Sequence, residues 1–206
     1  MGQPPRGKSR EFEARQVGQV QTFGHGGRSL AGVRVSAYGA GMAWTLRRQA
    51  ARVILLDPDG RVFLINAVDP NDASKPAWWE IPGGGIDPGE ASDHAVEREL
   101  HEEAGIDEAE IGPVVYTQYV EFSFGGYDFE QDEVLHVAWT TQTDIRPPRG
   151  LEYLEALAFR GARWWTLDEV QATDEPFLPA RLPELLPRLI AGDLPRPPLD
   201  ISPPLA

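Results

Sequence analysis

The sequence predicts an α+β domain, and three stretches carry that expectation. Two aliphatic runs, residues 50–56 and 62–67, are joined by Asp57-Pro58-Asp59-Gly60, which marks two strands and a tight turn. A glycine segment, Pro82-Gly83-Gly84-Gly85, is followed by residues 91–104, rich in helix formers and free of Gly and Pro. Residues 134–141 then return to strand character.

The chain divides into an arm at 1–41, a main domain at 42–175 and a tail at 176–206. Residues 1–41 are rich in Gly, Arg, Ser and Ala, and a loosely ordered arm is expected. Weak alternation at 17–23 and 33–35 leaves edge strands as the alternative. Eight Lys or Arg fall in residues 1–48, against Glu11 and Glu13 alone. Met42 opens a stretch that reads as a complete start to the main domain, so residues 1–41 are expected to be an upstream extension that the native protein lacks. The other reading is a basic arm that docks on the acidic core or swaps within a homodimer.

Residues 68–77 are polar with two prolines and should form a loop. Residues 78–81 should be a short strand that delivers the glycine segment. On it Trp78 and Glu80 face one way, Trp79 and Ile81 the other. Trp78 either stacks on a substrate base or belongs to the core, and Glu80 shares its side. Glycines 83 to 85 sit poorly in a helix or a central strand, but let backbone carbonyls approach a ligand. Asp87-Pro88-Gly89 is a turn. The helix over 91–104 starts near Glu90 or Ser92 and stops at Gly105.

Residues 111–124 alternate well enough for one or two strands, and Gly125-Gly126 is a turn. The acidic stretch 128–133 reads as a loop before the strand at 134–141. Residues 144–150 form a proline-rich linker. A strand at 162–166 precedes a short helix capped by Thr166. Residues 183–191 are amphipathic and should pack on the core or on a second subunit. Residues 194–206 should be extended.

On the helix Glu99, Glu102 and Glu103 are three and four residues apart and share a face. Val96, Leu100 and Ala104 form the neighbouring apolar stripe, which should pack on a sheet. Acidic helix faces are ordinarily solvated. If buried, however, three carboxylates in one turn repel one another. A hard divalent cation reverses that repulsion, and the glycine carbonyls add oxygen ligands.

Gly84, Glu90, Arg98, Glu99, Leu100, Glu102, Glu103, Gly105 and Ile106 fall at the spacing G-x5-E-x7-R-E-U-x-E-E-x-G-U, where U is aliphatic. This resembles the box of the Nudix hydrolases at every specified position. The resemblance implies the Nudix fold, a mixed β-sheet sandwiched between α-helices. It also implies Mg2+ (or Mn2+) held by Glu99, Glu102, Glu103 and the Gly84 carbonyl, with Glu99 alternatively deprotonating water. Glu90 and Arg98 become an ion pair that holds loop against helix, and Gly105 ends the box. Many family members carry an extra glutamate in a loop after the box. Glu130 and Glu133 are the candidates here, as ligand, as general base or as solvated loop residues.

The implied reaction is attack of water on phosphorus in a nucleoside diphosphate linked to another moiety. The family's secondary markers for ADP-ribose, dinucleoside polyphosphates and coenzyme A are missing, so the substrate stays open. A nucleotide-binding regulatory module without turnover is the alternative, although the box carboxylates are intact. Isoprenoid diphosphate isomerases share the fold but use a cysteine, and the chain has none.

A net charge of -13 argues against wrapping a nucleic-acid polymer but not against a small nucleotide met by metal ions. With no cysteine, disulfides and thiolate metal sites are excluded. No run of eighteen apolar residues predicts a membrane span, and a cytoplasmic location is the default expectation. The four histidines show no zinc spacing. His94 and His101 are expected on the solvent side of the helix, and His136 within a strand.

Overall fold

A computed structural model describes residues 34–37 and 44–204. The weak alternation at 17–23 lies outside the described residues. The organising element is β2 (Trp44–Leu56), after the short β1 (Arg34–Ala37). β1 pairs antiparallel with the start of β2, so part of the expected arm is an edge strand. The hairpin partner of β2 is β3 (Val62–Ala67), with Leu56 opposite Val62. Arg61 and Asp57 close the turn through an ion pair of 2.6 Å.

β4 (Trp78–Glu80) pairs with β3. The glycine segment contributes β5 (Gly83–Gly85), antiparallel to β2, with Gly83 opposite Arg52 and Gly84 opposite Ala51. Sequence reasoning kept these glycines out of a strand. The pairing works because they are glycines: a Cβ at Gly83, where φ is 139°, would lie 2.3 Å from the Ala51 carbonyl oxygen.

β6 (Glu110–Phe124) and β7 (Tyr127–Trp139) form a long hairpin, and β7 runs parallel to β2 along its length. β6 is one strand with irregular register between Ile111 and Tyr116. Pro113 lies there and has no N–H to give the ladder. Residues 128–133 are therefore strand, not the loop expected from their acidity. Phe129, Gln131, Glu133, Leu135 and Val137 alternate onto one buried face.

β8 (Phe159–Trp165) pairs with β3, β9 (Phe177–Leu178) with β4, and β10 (Leu199–Asp200) with the outer edge of β6. Together they make one ten-stranded mixed sheet. Helices cover both faces, as a sandwich requires. The box helix, α1 (Ser92–Glu99), buries Ala95 and Val96 with Leu100 and Ala104 against Ala51, Val53, Leu55 and Phe63. On the other face α3 (Leu167–Ala172) and α4 (Leu182–Ile190) bury Val170, Leu182, Leu185, Leu186 and Leu189 against Ile54, Leu64, Leu135 and Val137. α4 thus packs on the core. α2 (Tyr153–Ala158) precedes β8, and both it and α3 start with a capping box, Glu152/Glu155 and Thr166/Glu169. Ile201, just past β10, is buried in the same core. Among the described residues no helix is long and apolar enough to cross a membrane.

Candidate active site

The box is helical from Ser92, but not α-helical throughout. Leu100–Ala104 is a π turn that ends at Gly105, whose φ of 64° is left-handed. The Leu100 carbonyl accepts from both Gly105 and Ile106. This wider turn resets the phase of the acidic residues. Glu99 and Glu103 lie against the glycine segment, and Glu102 sits at the rim beside residues 149–150. The Glu102 carbonyl accepts from Arg149 and Gly150 there.

Contacts between helix and glycines are tight. Glu103 Oε2 accepts from the Gly83 N–H at 2.9 Å. A Cβ at Gly84 would lie 2.5 Å from Glu99 Oε1, so any larger residue would have to push that carboxylate aside. Arg98 Nη2 donates to the Gly85 carbonyl at 2.9 Å, and its Nε to Glu90 Oε1 at 3.0 Å. Glu90 in turn accepts from Asp87 N–H. The Glu90–Arg98 pair therefore clamps the 85–90 loop to the helix. Arg98 also reaches Glu99 at 2.6 Å and Glu102 at 3.6 Å.

Glu99 is 5 % exposed. Burial pushes its carboxyl up to about 7, against the pull of Arg98, and the charges of Glu155 and Glu102 add to the rise. Glu103 is held well above the usual carboxylate range by burial and then by the charge of Glu99. These oxygen donors, crowded and reluctant to ionise beside a glycine cradle, fit a hard dication. As the side chains stand, no three acidic or imidazole groups among the described residues converge on one ion position. The Arg98 guanidinium supplies the compensating charge at Glu99.

Trp78 and Glu80 share a side, as expected, and meet through a hydrogen bond of 3.1 Å from the indole N–H. The Trp78 ring stands edge-on to Phe124 at 6.2 Å. The Glu80 charge acts on Glu103 and on Arg52. Trp79 packs on the other side, edge-on to Trp165. His94 and His101 are exposed, and His136 is a buried strand residue bonded to Ser92 and the Gly112 carbonyl.

Glu133 departs from expectation in its surroundings. It is a strand residue, 4 % exposed, bound by Arg52 at 2.8 Å and by the side-chain amides of Gln118 and Gln131. Burial pushes its carboxyl up, but Arg52 and these hydrogen bonds outweigh burial and hold it below its ordinary value. Glu130 is paired with Arg47 at 2.6 Å.

Sequence reasoning missed three residues near the box. Arg48 lies beside Gly85, its guanidinium over the Phe129 ring at 5.0 Å. Arg52 pairs with Glu133. Glu155 of α2 projects its charge onto Glu99 and Glu103, and burial raises its own carboxyl. The Glu152-x-x-Glu155 spacing, a helix-start signature, was the available signal for that segment.

The NUDIX domain family model matches residues 46–189. The chain is 27 % identical over 143 residues to an RNA pyrophosphohydrolase of Wolbachia pipientis, covering 63 % of this chain and 81 % of that one. It is 40 % identical over 68 residues to the RNA pyrophosphohydrolase of Erythrobacter litoralis, which spans 33 % of this chain and 39 % of the relative. The MutT protein from Methanosarcina mazei aligns with a TM-score of 0.51 at 19 % identity, over 71 % of this chain and 95 % of its own, which shows the shared fold.

Proposed function

This chain belongs to the Nudix hydrolase family and is a Nudix pyrophosphohydrolase, and on that premise we propose that it cleaves the diphosphate linkage of a small nucleoside diphosphate derivative with Mg2+ (or Mn2+). The observation that carries the proposal is the pair of glutamates, buried Glu99 and half-buried Glu103, pressed against Gly83 and Gly84. Glu99, Glu102, Glu103 and the Gly84 carbonyl would hold the metal. When bound, it neutralises the diphosphate and makes water a better nucleophile.

The chain's own residues do the rest. Arg98 and Glu90 keep the loop closed on the helix. Glu99 is alternatively the base that takes a proton from water, its carboxyl standing near 7 when no metal is bound to it. Glu155, whose charge reaches the same place, is the other candidate for that proton. Glu133, with both oxygens already bonded, is less suited to it. Trp78 and Glu80 border the substrate side.

Relatives named RNA pyrophosphohydrolase favour a second reading, in which the substrate is an RNA chain with a terminal polyphosphate. Charge favours the small substrate. Residues 44–204 hold 13 Lys or Arg against 30 Asp or Glu, which leaves few cations for a polymer backbone.

A screen of nucleotide sugars, dinucleoside polyphosphates, nucleoside triphosphates and triphosphorylated RNA, with and without Mg2+, tests both. The expected outcome is metal-dependent release from a small nucleotide. Faster turnover of RNA than of every nucleotide would establish the second reading. No release from any substrate would sink both.

A further inference from the structure

We propose that Arg52 is a positioning residue for the hydrolytic site: braced by Glu133, it fixes the carbonyls that orient the glycine segment beneath Glu99 and Glu103. Neither residue belongs to the box. The inference rests on the metal-site reading above and adds the part of the chain that sets its geometry.

Arg52 Nε donates to Glu133 Oε1 at 2.8 Å, while Nη1 points at the carbonyls of Ile81 and Gly83, each at 3.4 Å. The Gly83 carbonyl belongs to the peptide that leads into Gly84. That peptide is planar, so pinning its oxygen fixes the plane from which Gly84 departs. Glu103 grips the N–H of the same Gly83. Gly83 is thus held by the box helix at one end and by β2 at the other.

Glu133 cannot drift, because Gln118 and Gln131 bond it as well as Arg52. The side chains of Arg52 and Glu133 are 15 % and 3 % exposed. A buried pair of this kind is poor value for stability alone, since an apolar pair of similar volume commonly does as well. Ile54 and Leu135, two residues further along β2 and β7, belong to the apolar core, while Arg48 and Gln131 bond each other on the other side of the pair. What an apolar pair cannot do is present a rigid fork to a carboxylate and two carbonyls. A lysine cannot do so either, having a single ammonium on a flexible stem.

The test uses the full chain carrying Arg52→Lys, which keeps the charge beside Glu133. Three quantities are compared with wild type: amide hydrogen exchange over residues 81–87 without metal, Mn2+ binding without substrate by the loss of its free spin-resonance signal, and kcat against KM. Exchange is expected to quicken about tenfold, Mn2+ binding to weaken about 10- to 100-fold, and kcat to fall with KM within about twofold. Glu133→Gln removes the brace and should move the same three quantities the same way.

Exchange and Mn2+ affinity both within twofold of wild type in Arg52→Lys would overturn the proposal. So would a loss confined to KM. Wild-type protein that takes up no Mn2+ at all defeats the metal reading. The exchange rates then decide the strut by themselves, with unchanged rates counting against it.

Discussion

Glu99 and Glu133 are buried almost equally, at 5 % and 4 % exposure, yet burial leaves them in opposite states. Glu133 has three donors and is held ionised, below the usual carboxylate range. Glu99 has Arg98 for a partner, with Glu102, Glu103 and Glu155 as acidic neighbours, and its carboxyl rises to about 7. The lesson is that depth does not set the charge of a buried acid; the count of donors against like charges does. One side of the glycine segment is electrostatically complete. The other is short of positive charge, which is where the proposed dication would sit.

The strongest way to break this comparison is at the incomplete side. Glu102→Gln and Glu99→Gln should each lower metal-dependent turnover about 10²- to 10³-fold, in the range found when one charge-stabilising group is removed from a site. Product release with Mg2+ measures it. Wild-type turnover in Glu102→Gln would show that the metal is not held there.

The complete side should answer in stability instead. Glu133→Gln leaves the Arg52 charge buried without its counter-ion and should destabilise the fold by about 3–5 kcal/mol, read from the denaturant midpoint. Glu99→Gln in metal-free protein should be neutral or stabilising, because it removes a charge with too few partners. If the two variants exchange these outcomes, the contrast between the sides is wrong.

pH sharpens the contrast. The folded-state carboxyl of Glu99 titrates near 7, above its ordinary unfolded value of about 4.5, so folding takes up protons between the two. That contribution is present below about 4.5 and is lost as pH rises through about 7. Glu103 acts in the same direction, and Glu133 in the opposite one, losing its contribution as pH falls below its unfolded value. Thermal midpoints of metal-free protein should therefore fall from pH 5 to pH 8. Millimolar Mg2+ should recover much of the loss, and Glu103→Gln should flatten the slope.

The smallest effect sets the scale for the rest. Thr166→Ala removes the side-chain cap of α3, distant in sequence from both acids, and should cost about 1 kcal/mol with turnover unchanged.

The parts of the molecule legible in the sequence are those whose causes are local. The Asp57–Gly60 hairpin, the box helix and the Thr166 cap depend on neighbours a few residues away, and each appears where its residues place it, whereas the glycine segment becomes a strand only because distant β2 lies beside it. The sequence puts Glu133 in a loop because charge density in 128–133 hides a period of two that runs on through Leu135 and Val137. Its partner Arg52 lies 81 residues earlier, and only the register of β2 against β7 brings them within reach. Gln118 joins them through the β6–β7 pairing. Such a network has no local signature. The same holds for Glu155, whose approach to the box depends on where the 144–150 linker sets α2 down.

The π turn at Leu100–Ala104 makes the length of the box a design parameter. Removing His101 would take one residue out of this wide turn and carry Glu103 round the axis relative to Leu100, off the Gly83 amide. Every acidic residue would survive in such a protein, and a composition-based comparison would score it as intact. Its failure would come from rotation alone, so in this chain the count of residues in a turn is as much a part of the chemistry as their identity.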